Sequence, residues 1–223
     1  MKLRVLYLTI SSEEPIVGTP AEVRGFFATN FPEYNNLHNH IAGTRYLYQY
    51  PYIQYRILNG SALVIGIEKG AEDLFEIYDK FDNIRIQDRT YPVFERDIIQ
   101  KEVPFGLDNI FHSYDFITPW LALNQENYQR FYRAKSAGER HDLLRRTLAG
   151  NLLSMSKSLG YQVPDRIRSE VEVQPLKQRL KDVNVMAFAG RFHANFQIPD
   201  YLGIGKSVSR GFGAVRQLLP DGG

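Results

Sequence analysis

The sequence predicts an α+β chain of two tandem ferredoxin-like (RRM-like) domains, the second irregular and carrying a glycine-rich loop. Three observations predict it. From Leu3 to Val93 the apolar spacing switches between strand and helix periods in the order β-α-β-β-α-β. Val103-Pro104-Phe105-Gly106 then interrupts the pattern, dividing residues 1–104 from 105–223. After the break come a strand, two helices and two strands. Where a last crossover helix would stand, Gly203, Gly205, Gly211 and Gly213 fall within eleven residues.

Leu3–Ile10 alternates apolar residues and reads as a buried first strand. Thr19 and Pro20 open a helix as N-cap and first helical residue, and Pro32 stops it at about Phe31. An aromatic-rich strand is predicted over Arg45–Leu58. Asn59-Gly60 is a two-residue hairpin signal, since a type I′ turn needs φ > 0 twice, and Ala62–Ile67 is the return strand. Apolar residues at 74, 77, 78 and 81 space a helix over Ala71–Phe81, and Asn83–Val93 alternates as the domain's last strand. In the second domain a strand near His112–Thr118 precedes a helix over Asn124–Ala134. Leu144, Leu148, Leu152, Met155 and Leu159 share one face of a long helix, Gly138–Leu159. Ile167–Leu180 and Val183–Ile198 read as long strands joined near Lys181-Asp182, and Ala214–Leu218 as the final strand.

A chain of 223 residues can bury a sizeable core. It has no cysteine, which excludes disulfides, thiolate zinc sites and a cysteine nucleophile. The start is charged early, without the apolar run of a signal peptide, and no stretch reaches transmembrane length. A soluble cytoplasmic protein with no membrane partner is expected. The net charge of +2 hides an asymmetry. Ile67–Asp115 holds 6 Lys/Arg against 12 Asp/Glu, Gln129–Arg168 holds 9 against 3, and Gln174–Arg216 holds 7 against 2. Basic charge in the C-terminal half suits a polyanionic partner.

Lys206 and Arg210 stand between the loop glycines, a composition that suits phosphate through backbone N–H groups and cations. Gly205-Lys206-Ser207 matches the end of a P-loop, but the required glycine five positions earlier is Asp200, and only 16 residues follow Ser207. A dinucleotide fingerprint lacks its following βαβ unit for the same reason. His38-Asn39-His40 is too compact for a metal-nuclease motif of the HNH kind. No His/Asp/Glu set at ligand spacing accompanies it, so neither a metal nor a cofactor is expected. Two imidazoles can instead remove and deliver protons near neutral pH, enough to drive a ribose 2′-hydroxyl onto its own phosphate. Tyr46, Tyr48, Tyr50 and Tyr52 alternate and would share a strand face, either stacking bases or filling a core. Arg191, His193, Asn195 and Gln197 alternate with Phe192, Ala194, Phe196 and Ile198, giving a polar, partly basic face next to the loop in sequence.

Leu37-His-Asn-His40, Tyr48-Gln-Tyr-Pro-Tyr-Ile-Gln-Tyr-Arg56, Thr118-Pro-Trp-Leu-Ala-Leu-Asn-Gln-Glu-Asn-Tyr128 and the closing glycine loop occur in this order over nearly the full length. Together they resemble the CRISPR repeat-processing endoribonucleases of the repeat-associated mysterious protein (RAMP) superfamily, in the branch with paired histidines after the first helix. The resemblance implies two ferredoxin-like domains binding precursor CRISPR RNA. It implies metal-independent cleavage within repeats, leaving a 2′,3′-cyclic phosphate and a 5′-hydroxyl. By that pattern His38 and His40 supply general base and acid, with Tyr46 or Tyr48 orienting a histidine. Arg191, His193, Gly203, Gly205, Lys206, Ser207, Arg210, Gly211 and Gly213 are the candidate RNA contacts. No lysine matches the Tyr–His–Lys set of other branches, so stabilisation of the transition-state charge falls to Lys206, Arg191 or Arg45 as candidates. Partners in view are CRISPR repeat RNA, other effector-complex subunits and a second copy of the chain. The competing function is a non-catalytic repeat-RNA-binding or structural subunit of an effector complex.

Overall fold

The computed structural model describes residues 1–38, 49–180 and 183–218, with only the backbone described at His38. The chain forms two compact units. One contains Lys2–Val103 together with Val208–Gly211, and the other contains Met1, Pro104–Ser207 and the residues from Phe212 onward.

The N-terminal unit runs β1 (Lys2–Ser11), α1 (Pro20–Asn30), α2 (Asn35–His38), β2 (Ile53–Leu58), β3 (Ser61–Ile67), α3 (Lys69–Ile77), β4 (Asn83–Ile86), β5 (Arg89–Pro92) and β6 (Glu95–Pro104). Its main sheet has the order β2-β3-β1-β6, the split β-α-β arrangement of a ferredoxin-like domain. Thr19 and Glu22 form a reciprocal capping box at the start of α1, with Pro20 at the first helical position. Asn59 and Gly60 take φ of 51° and 79°, closing the hairpin at the pair Leu58↔Ser61. Leu6, Leu8 and Ile10 of β1 join Val23 and Phe27 of α1 and Leu74 and Ile77 of α3 in one apolar core. Phe81 closes it, with its ring 5.4 Å from that of Phe27.

Two expected boundaries move. The strand predicted from Arg45 begins at Ile53, consistent with Pro51, which lacks the N–H that a ladder requires; Arg45 itself lies outside the described residues. The single strand expected over Asn83–Val93 is the separate hairpin β4-β5, turned at Gln87 with φ 54°. The sheet's fourth strand is β6. It is an edge strand exposed along most of its length, so its charged sequence carries no alternating apolar signal.

The C-terminal unit runs β7 (Gly106–Trp120), α4 (Gln125–Arg133), α5 (Ala137–Ser158), β8 (Ser169–Leu180), β9 (Val183–Gln197) and β10 (Val215–Leu218). Its sheet order, β10-β7-β9-β8, repeats the split pattern of the first domain. Between β9 and β10 no helix forms; the glycine loop and one 3₁₀ turn, Val208–Arg210, occupy that place. Phe188, Phe192 and Phe196 of β9 are fully buried, as are Leu148 and Leu152 of α5. No helix among the described residues is long and apolar enough to cross a membrane.

Close backbone approach seats α3. A Cβ on Gly66 would stand 2.4 Å from the Gly70 carbonyl oxygen, whereas one on Gly25 of α1 would meet nothing within 4 Å. Gly66→Ala is therefore expected to cost about 1–3 kcal/mol through overpacking. Gly25→Ala is expected to add about 0.5–1 kcal/mol through helix propensity. Equal urea midpoints for these two variants would contradict the packing.

Candidate functional site

His38 ends α2, and the short helix is held on both sides of its single turn. Leu37 is fully buried, and the Tyr55 hydroxyl donates to its carbonyl at 3.4 Å. The Asn36 amide donates to Asp73 Oδ2 at 2.7 Å, and the Tyr34 hydroxyl donates to Glu76 Oε2 at 2.9 Å, tying the turn to α3. Burial raises the Asp73 carboxyl pKa, while the bond from Asn36 opposes that rise. His40, Tyr46 and Tyr48 lie outside the described residues. The chain is anchored again where it returns. Tyr50 is buried, and the Tyr52 carbonyl accepts from Ile67 N at 2.8 Å. A Cβ on Gly70 would lie 2.3 Å from that carbonyl oxygen. Leu37 and Tyr50, on either side of the residues not described, are thus both buried in one unit.

β2 has a second buried face. Gln54 and Arg56 are fully buried on the side opposite Tyr55. The Arg56 guanidinium donates to the carbonyls of Tyr55 and Val208, each at 2.7 Å, and to Gln54 Oε1 at 2.8 Å. Burial pushes its pKa down to about 10, so it stays charged at neutral pH. The bond to Val208 places Val208–Gly211 in the N-terminal unit. There Gly211 takes φ +95°, and a Cβ on it would stand 2.5 Å from the Pro20 ring. Arg24, one turn beyond Pro20 on α1, and Arg210 are consequently close. Burial lowers the Arg24 pKa; Tyr55 counteracts this and Arg210 adds to it.

The remaining loop glycines serve packing in the C-terminal unit. A Cβ on Gly205 would come 2.8 Å from Trp120 Nε1 and from the Leu121 carbonyl oxygen, and one on Gly213 would come 2.0 Å from the Ile204 oxygen. Gly203 is buried and bridges to Ala214. Loop N–H groups are directed inward: Lys206 to Leu121, Ile204 to Gly213, Gly213 to Pro119 and Gly211 to Val208. These four amides are engaged by carbonyls of the loop itself and of Pro119 and Leu121, so they are not directed at an anion. Lys206 is exposed, Ser207 and Arg210 are half-buried, and partial burial lowers the Lys206 pKa.

On β9 the alternation is as expected, but the polar face is electrically balanced. Arg191 Nε donates to Asp115 Oδ1 at 3.1 Å. His193 Nδ1 lies 2.8 Å from Ser113 Oγ, with Nε2 3.4 Å from Glu172. Glu172 opposes Arg191 and Glu170 opposes His193 in the ladder, so carboxylates surround both residues. Asn195 is structural, accepting from Arg168 N at 2.7 Å.

Arg24 is the residue that sequence spacing did not single out. Its helix looks ordinary, and only the packing of Gly211 on Pro20 brings position 210 to it.

Both halves of the chain match known proteins. Residues 1–104 match the family model of the Cas6b N-terminal domain, and residues 106–218 match that of the Cas6b C-terminal domain. An uncharacterized protein of Methanocaldococcus jannaschii is 36% identical over 141 residues, covering 63% of this chain and 95% of its own length. A crystal structure of Cas6b is 33% identical over 98% of this chain and 100% of its own, with a TM-score of 0.88. A second, of the CRISPR RNA processing endoribonuclease Cas6b, is 32% identical over 98% of this chain and 100% of its own, with a TM-score of 0.77. The resemblance read from the residues and the two domain matches thus converge, and the chain belongs to the Cas6b family.

Proposed function

We propose that this chain is a metal-independent endoribonuclease that cleaves precursor CRISPR RNA within its repeats. The observation that carries the reading is the full-length similarity to Cas6b; Arg24 and Arg210, which feel each other's charge, lie in the same unit as Tyr55, whose hydroxyl touches the carbonyl immediately before His38. Two neighbouring guanidiniums repel each other, and a phosphate between them relieves that repulsion through charge-assisted bonds. The full-length similarity to a Cas6b named as a CRISPR RNA processing endoribonuclease supports the same substrate.

In this reading one of His38 and His40 takes the proton of a ribose 2′-hydroxyl. The 2′-oxygen attacks the adjacent phosphorus, the P–O5′ bond breaks, and the other histidine protonates the departing 5′-oxygen. A 2′,3′-cyclic phosphate and a 5′-hydroxyl result. Arg24 and Arg210 offset the charge that builds on the phosphoryl oxygens. Tyr46 or Tyr48 orients a histidine. Residues 1–104 thus bring the histidines, while residues 105–223 bring the glycine loop, which holds the RNA backbone through Lys206, Ser207 and Arg210. The glycines 203, 205, 211 and 213 shape the loop. Arg191 and His193 form a lesser contact surface, because Asp115, Glu170 and Glu172 offset their charge. The enzyme acts on RNA in the cytoplasm.

Cleavage of repeat RNA should persist in EDTA and yield cyclic-phosphate ends detectable by mass spectrometry. The double variant His38→Ala/His40→Ala should lose about 10²-fold or more in single-turnover rate while still binding RNA. Full activity of that variant would refute the assignment. Arg24→Ala should slow the saturated single-turnover rate by about 10-fold or more, with a smaller change in affinity. An unchanged rate with weakened binding would make Arg24 a plain backbone contact.

A further inference from the structure

The C-terminal unit holds a groove of about 440 Å³ that the proposed chemistry does not use. One wall is α4. Phe131 faces inward, its ring 5.5 Å from that of Phe188, and this turns Tyr128 and Tyr132 outward. Those two rings stand one helical turn apart with centroids 5.0 Å from each other. They remain 42% and 62% exposed, unusual for paired aromatics with a sheet close by. The floor is the distal part of the β8-β9 ribbon, where the register pairs Lys177 with Met186 and Arg179 with Asn184. These residues continue the face that carries Pro175 and Phe188.

The geometry points to this groove as a second RNA subsite, which takes one unpaired nucleotide of the bound RNA. The proposal rests on the RNA-processing reading above. Two exposed tyrosines and the Met186 thioether offer a base its stacking surface. The Asn184 amide can both donate to and accept from a base edge. Lys177, which lines the groove, can pair with the attached phosphate. A volume of about 440 Å³ lies within the range of small-ligand sites. Charge decides between a nucleotide and an apolar peptide. Arg133 and Lys135 follow Tyr132 along the chain, and Lys177 and Arg179 edge the ribbon. The acidic residue of α4, Glu126, is ion-paired to Arg130. None of the residues lining the groove is acidic. Such a rim favours a polyanion.

The test is equilibrium binding of fluorescein-labelled repeat RNA to the full chain, with the saturated cleavage rate measured alongside. Tyr128→Ala/Tyr132→Ala should weaken binding about tenfold or more and leave the saturated rate within about twofold. Tyr128→Phe/Tyr132→Phe should restore binding, since stacking needs the ring and not the hydroxyl. Lys177→Glu should also weaken binding and make its salt dependence shallower by about one phosphate contact. Binding by the alanine pair equal to that of the original chain would overturn the subsite while leaving the RNA reading intact. The same result with loss of a co-purifying protein subunit would make the groove a protein dock and overturn it likewise. Failure of the unmodified chain to bind repeat RNA would defeat the RNA reading itself, and the subsite with it.

Discussion

A guanidinium removed from water is costly unless carbonyl or carboxylate oxygens replace its hydration. Arg56 sits on β2 with no exposed surface and directs its donors to Tyr55 O, Val208 O and Gln54 Oε1. Two of these oxygens are local to β2, but the third lies more than 150 residues away in sequence, at |i−j| of 152. A buried charge thereby fixes where Val208–Gly211 must lie. Burial pulls the Arg56 pKa to about 10, not far enough to discharge the group at neutral pH. The demand for the Val208 carbonyl is therefore permanent.

Much follows from that one bond. With Val208 held, Gly211 meets the Pro20 ring, where a side chain would not fit. Arg210 is then carried to Arg24, on the helix whose Phe27 packs near Tyr55, with ring centroids 5.8 Å apart. Tyr55 in turn holds the Leu37 carbonyl, one residue from His38. Arg24, Arg210 and the turn that ends in His38 are thus positioned by the same strand. The glycines contribute close packing and, at Gly205, Gly211 and Gly213, positive φ; the Gly211 amide donates to Val208 and the Gly213 amide to Pro119.

Most elements of both domains were legible in the sequence, because capping, hairpin and amphipathic signals are local. Thr19-Pro20, Asn59-Gly60 and the Leu144–Leu159 stripe each depend on residues a few positions apart. β6 was not legible, since an exposed edge strand has no buried face to impose alternation. The site divides in the same way. The paired histidines and the loop cations stand out as letters, whereas Arg24 acquires its meaning only from a contact between distant segments. The polar face of β9 shows the opposite error. Arg191 and His193 look basic along their own strand, and only the neighbouring strands reveal Asp115, Glu170 and Glu172 beside them.

In the proposed reaction the RNA's own 2′-hydroxyl is the nucleophile. The most direct measurement compares cleavage of a repeat RNA with that of the same RNA carrying a single 2′-deoxynucleotide on the 5′ side of the cut. The substituted RNA should bind with unchanged affinity and stay intact at that bond. Cleavage there at the normal rate would mean that water or another group attacks the phosphorus, and would refute attack by the 2′-hydroxyl.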